Sequence, residues 1–212
     1  MRKLIFISTI HKEFGKCNTS ELQTILFRLS PEVVFLEALE STYSEYQQMK
    51  YLTFGVYHEK LEIKAIQNSI HDGTLKYKPV LDFGLSETFE MKCDLLRQFL
   101  DHQLLLREFN SKASTYGFSF LNSKEAIAHQ DELRTLEEKL LHNPELHQEV
   151  QENIDAYENN MIKNISAYCR ENPFEKAVFM CGVAHRRSMI EKIRSNKEML
   201  DLEIDWSFPE DL

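Results

Sequence analysis

Residues 4–39 read LIFISTIHKEFGKCNTSELQTILFRLSPEVVFLEAL, and their order decides the fold. Leu4 to Ile10 is a short apolar run, which predicts a buried strand. HKEFGKCNTS then reads as a loop. Asn18, Thr19 and Ser20 are helix-capping residues, and Leu22, Ile25, Leu26 and Leu29 follow at helical spacing. Pro31 ends that helix, because its ring cannot continue the backbone hydrogen bonds. VVFLEAL predicts a second strand. A strand, a helix and a strand of this length form a βαβ unit, which implies parallel pairing.

The pattern returns further along the chain. A helix is expected from roughly Tyr57 to Ile70, stopped by HDGT. KPVLDFGL (78–85) predicts a third strand. KAVFMCG (176–182) predicts a fourth, followed by a helix through Met189, Ile190 and Ile193. LDLEIDWSF (200–208) predicts a fifth, with Leu202, Ile204 and Trp206 alternating. Between them, residues 86–171 read as mostly helical. Leu146, Val150, Ile154, Tyr157, Met161, Ile165 and Tyr168 recur at spacings of three and four, the stripe of one helix face. Leu133, Leu136 and Leu140 mark the helix before it. The expectation is an α/β fold in one domain, 1–212. A mixed, largely parallel sheet of about five strands is flanked by helices, with a helical-hairpin insertion over about 86–171.

The bulk composition excludes several function classes. A net charge of −9 suits neither nucleic acid nor an anionic membrane surface, since phosphate contacts need clustered Lys and Arg. No apolar stretch approaches the roughly 18 residues of a membrane span. The basic start MRKLIFISTI is cut short by His11, Lys12 and Glu13, so no secretory leader is expected. The four cysteines show no C-x-x-C spacing, which argues against a thiolate zinc or redox motif. A cytoplasmic protein with reduced thiols is the expectation. His58, His71, His102, His129, His142 and His147 sit in polar helical contexts and read as surface residues.

The polar residues that remain converge. In parallel α/β sheets, ligands sit beyond the carboxyl ends of the strands. His11 lies just past the first strand, Glu37 at the end of the second and His185 just past the fourth. Asp82 lies near the end of the third. Two His and one Glu can hold a divalent metal such as Zn, Mn or Fe with open positions, and such a metal lowers the pKa of bound water. Without a metal, the same trio suits general acid–base work, with His as base and Glu as orienter. Glu158 flanks the apolar stripe of its helix and is a further candidate. Arg186 and Arg187 follow His185 at a helix start, where they suit a substrate carboxylate or phosphate.

These residues also carry a resemblance. STIH (8–11) resembles a G-x-x-H after the first strand, with Ser8 in place of Gly. FLEAL supplies Glu37. CGVAH supplies a second G-x-x-H, Gly182 to His185. In YENNMIKNI, Met161 and Asn164 match a helical motif whose Arg is replaced by Tyr157 and whose acid is Glu158. In this order, the motifs resemble the TraB/Tiki group within the erythromycin-esterase-like and ChaN-like superfamily. The resemblance implies an α/β sheet with a helical insertion and a pocket built by both ends of the chain. Tiki-like relatives look like metal-dependent proteases, erythromycin-esterase-like members are hydrolases whose His and Glu activate water, and ChaN-like members bind haem. A hydrolase of peptide, amide or ester bonds, acting on a small molecule or peptide, is therefore the leading expectation. Haem binding and an inactive interaction protein are the alternatives.

Overall fold

A computed structural model describes residues 2–39, 60–69 and 75–210. In chain order its elements are β1 (Arg2–Thr9), α1 (Thr19–Leu29), β2 (Val33–Leu39), α2 (Leu61–Ser69), β3 (Lys76–Leu81), α3 (Glu87–Leu96), α4 (Leu100–Leu121), α5 (Lys124–Leu141) and α6 (Pro144–Glu171). The order continues with β4 (Lys176–Gly182), a 3₁₀ turn (Val183–His185), α7 (Arg186–Ser195), α8 (Lys197–Asp201) and β5 (Ile204–Ser207). Of the helix expected over Tyr57–Ile70, residues 57–59 and 70 lie outside the described residues.

The sheet order is β3-β2-β4-β1-β5, and every pairing is parallel. The sheet is thus fully parallel among the described residues, not mixed. One detail departs from the simplest reading of the βαβ unit. β1 and β2 are parallel but not neighbours, because β4 lies between them, pairing Phe179 with both Phe6 and Phe35.

Side chains alternate across the strands and supply two cores. Ile5, Ile7, Val34, Leu36, Val178 and Met180 face α1, α2 and the bend between α4 and α5. Leu4, Phe6, Val33, Phe35, Phe179 and Cys181 face α6 and α7. Such near-continuous apolar strands are what a sheet covered on both faces requires.

Local chemistry sets the helix ends. The Asn18 side chain accepts the Glu21 backbone N–H at 2.9 Å, the cap expected from CNTS. The helix already ends at Ser30, whose backbone is left-handed (φ 47°), one residue before Pro31. α4 bends at Gly117 (φ 62°), where a Cβ would lie 2.5 Å from a Glu21 carboxylate oxygen, so no other residue fits there without displacing it.

The two helices expected as a hairpin, α5 and α6, follow one another across a short turn, but α5 packs mainly on α4, a cavity separates it from much of α6, and the insertion also contains α3. α6 is no appendage. Its Tyr157, Met161, Ile162, Ile165 and Cys169 are part of the core under the sheet. The buried face is slightly rotated from the apolar stripe, so Glu158 is fully buried inside it. The third strand ends at Leu81, earlier than KPVLDFGL suggests, and the fifth is confined to Ile204–Ser207. His102 and His129, read from the sequence as surface residues, are buried. No helix among the described residues is long and apolar enough to cross a membrane.

Candidate active site

The carboxyl ends of β1, β2 and β4 lie side by side, with Thr9 opposite Gly182 and Leu36 opposite Met180. Glu37 is the first residue of β2 beyond its ladder with β4. The pairing of β2 with β3 is also irregular between Leu36 and Leu39. Such irregularities re-aim side chains beside functional sites.

The Glu37 carboxylate is held from several sides. Oε2 accepts the backbone N–H of Gly182 at 2.6 Å, and Oε1 accepts the Tyr157 hydroxyl at 2.9 Å. His185 Nε2 lies 3.7 Å from Oε1. A Cβ on residue 182 would sit 3.2 Å from Oε2, which explains the Gly of CGVAH as a close-approach position. Burial pushes the Glu37 carboxyl up, but the charges of His185 and then His11, with the two hydrogen bonds, outweigh it and hold it below its ordinary value.

His185 is the most constrained member. It ends the 3₁₀ turn, is buried, and stacks on the Tyr157 ring with centroids 5.5 Å apart. Its Nδ1 is 2.7 Å from Glu158 Oε1. An ionised carboxylate only accepts, so Nδ1 carries the hydrogen and Nε2 is left toward Glu37. Glu158 in turn accepts Ser188 Oγ at 2.6 Å and Lys192 Nζ at 2.6 Å, and Lys192 also reaches Asp155 at 2.5 Å. Burial pulls the His185 imidazole down, but the Glu158 hydrogen bond and the Glu37 and Glu158 charges raise it above its ordinary value. Glu158 is lowered, burial again being outweighed by His185, Lys192 and Ser188.

His11 also lies close enough to Glu37 for each to feel the other's charge. Its Nδ1 is 3.2 Å from Glu62 Oε1, an oxygen that also accepts the Thr9 hydroxyl at 2.6 Å. The Glu62 hydrogen bond raises the His11 imidazole. Glu62 Oε2 is buried and has no partner among the described residues. It lines a void of about 10 Å³ together with Glu37, enough for about one water.

The other expected site residues lie elsewhere. The Asp82 oxygens are taken by Asn160 at 2.7 Å and Asn164 at 3.0 Å, a brace between the end of β3 and α6. Arg186 is turned inward and buried. Its Nη1 donates to Ser8 Oγ at 3.1 Å and Asn122 Oδ1 at 2.8 Å, and its Nη2 to the Pro209 carbonyl at 2.8 Å. Burial lowers its pKa to about 10. Arg187 pairs on the surface with Asp131 of α5. Arg186 is thus tied inside the chain through Nη1 and Nη2, with Nε unpartnered among the described residues, while Arg187 is paired on the surface. Ser8 is fully buried and bonded through its N–H, C=O and hydroxyl to Asn122 and Arg186.

Three members escaped the sequence reading. Tyr157 lies on the apolar stripe of α6, and its hydroxyl donates to Glu37. Glu62 falls at helical spacing with Ala65 and Ile66, so its place on an apolar face was a readable signal. Lys192 lies seven residues after His185, two helical turns, and only the packing of α7 on α6 brings it to Glu158.

A cavity of about 440 Å³ opens on this array, between α3, α5, α6 and the turn after β4, with His185 and Ser188 in its wall. Among the described residues no group of three or more His, Cys, Asp or Glu side chains is arranged to hold a metal ion. His11 and His185 both lie near the Glu37 carboxylate, whose charge raises each imidazole. Comparison with known protein families, curated proteins and solved structures finds no match.

Proposed function

We propose that the protein is a hydrolase of an ester or amide bond, with His185 as the base that activates water. The supporting observation is the Glu158–His185–Glu37 array beside a cavity of substrate size. Glu158 fixes the tautomer, so neutral Nε2 takes the proton of a water whose oxygen adds to the carbonyl carbon. The imidazolium is stabilised by Glu158 and Glu37 and then returns the proton to the leaving group. His11, with Glu62, supports the charge of Glu37. The resemblance of STIH, FLEAL and CGVAH to the TraB/Tiki and erythromycin-esterase-like proteins agrees with this chemistry.

A second reading places a divalent ion at His11, Glu37 and His185. The 3.7 Å between His185 Nε2 and Glu37 Oε1 favours it, since two donors on one ion at about 2.0–2.1 Å lie less than about 4 Å apart. The absence of a third converging donor among the described residues weighs the other way. The deciding experiment is a panel of para-nitrophenyl esters and peptide amides, assayed with wild type and His185→Ala, beside metal analysis and chelator treatment. Hydrolysis that needs His185 and survives chelation is expected. No His185-dependent hydrolysis overturns the proposal, and a haem Soret band lost in His11→Ala would assign the site to a binding protein.

A further inference from the structure

The cavity beside His185 has an unusual balance of charge. Lys92 of α3 and Glu137 of α5 both line it, and they pair at 2.7 Å with side chains only 12% and 19% exposed. Buried His102 sits 3.4 Å from the other Glu137 oxygen. Arg134 also lines the cavity, but its guanidinium donates to the Ala184 carbonyl and to Asp131. Glu138 also lines the cavity and is exposed to water, which screens it. The other polar groups of the wall include the neutral Gln130, Gln148 and Gln151.

We propose that the cavity takes an uncharged acyl group bearing hydroxyl or amide functions, and that the Lys92–Glu137 pair sets this charge specificity. The inference rests on the hydrolytic reading above. The buried charges of the wall, Lys92 and Glu137, are matched to each other, Arg134 is tied to Ala184 and Asp131, and exposed Glu138 is screened by water, so a charged substrate group would leave water without gaining a buried partner, which is costly. A hydroxyl or amide loses little, because the glutamine amides both donate and accept. The pair works as a rejecting element for ions of either sign.

The experiment uses matched para-nitrophenyl esters: butyrate, hemisuccinate and trimethylammoniobutyrate. Wild type is expected to prefer butyrate. Glu137→Gln leaves Lys92 unmatched and should raise the hemisuccinate-to-butyrate ratio of kcat/KM by about tenfold; Lys92→Met should raise the cationic ratio by a similar factor. The double variant should restore the preference for butyrate, which a merely damaged fold would not do. Ratios that stay fixed or move together would show a structural strut and overturn the inference, as would wild-type preference for a charged ester. If no ester is cleaved, saturation-transfer NMR with the matched para-nitroanilides reads the same preferences as binding. Failure of the hydrolytic reading is thereby separated from failure of this one.

Discussion

His11 and His185 flank the same carboxylate, and each places a glutamate at its Nδ1. Their surroundings differ. The His185 and Glu158 side chains are 11% and 1% exposed, while His11 is 44% exposed beside an 8% exposed Glu62. On the His185 side each charge meets a short partner with little water between, so the interaction is strong and the geometry fixed. On the His11 side water screens the pair and the ring is free to adjust. The comparison teaches that an array can be built from two similar parts and still have one rigid arm and one soft arm. Chemistry that needs a fixed tautomer belongs to the rigid arm.

The largest expected effect breaks this asymmetry directly. His185→Ala should lower kcat/KM for the cleaved ester by about 10³-fold and His11→Ala by about tenfold, within the range for general-base removal. Equal losses would erase the distinction. Stability is the next readout. Glu158→Ala leaves Lys192 and His185 without their buried partner and should cost about 3 kcal/mol in urea unfolding. Glu62→Ala, on the softer arm, should cost about 1 kcal/mol. A reversed order would place the rigid arm on the wrong side.

Titration sharpens the contrast. Glu37 and Glu158 are lowered, so their stabilisation is present above the ordinary value of 4.5 and is lost as pH falls through their lowered values. His185 is raised, so its stabilisation is full below the ordinary 6.5 and is lost as pH rises through the raised value. Urea midpoints should form a plateau between these limits, and His185→Asn should flatten the alkaline decline. Activity should run the opposite way to that decline, rising with pH as neutral His185 appears. The smallest effect is that of Tyr157→Phe, which removes one hydrogen bond to Glu37 and should cost about 1 kcal/mol. A thermal melt of that variant indistinguishable from wild type would show the hydroxyl to be idle.

Much of the fold was legible in the chain, because its strands are short apolar runs and its helices carry capping residues. VVFLEAL and KAVFMCG match β2 and β4 residue for residue. The order of strands was not legible, since nothing in residues 4–39 says that a strand 137 residues further on will enter between the two it contains. Of the site, His11, Glu37 and His185 could be read as strand-end residues. Glu62 and Lys192 could not be read as partners, because partnership depends on which helices pack together. Arg186 and Arg187 could not be told apart for a related reason: two adjacent arginines look alike in sequence, but the turn after β4 sends one into the interior beside Ser8 and Asn122 and the other to the surface.

The central place of β4 has a consequence for how the molecule comes to be. β1 and β2 are made early in synthesis, but the strand that joins them is made late. Pairing across so long a stretch of sequence is slow. Until residues 176–182 arrive, the two early strands expose unpaired edges, and a nascent chain in that state invites chaperone binding or aggregation. The same strand delivers Gly182 to Glu37, so the candidate site cannot assemble before the strand that joins β1 and β2 is in place.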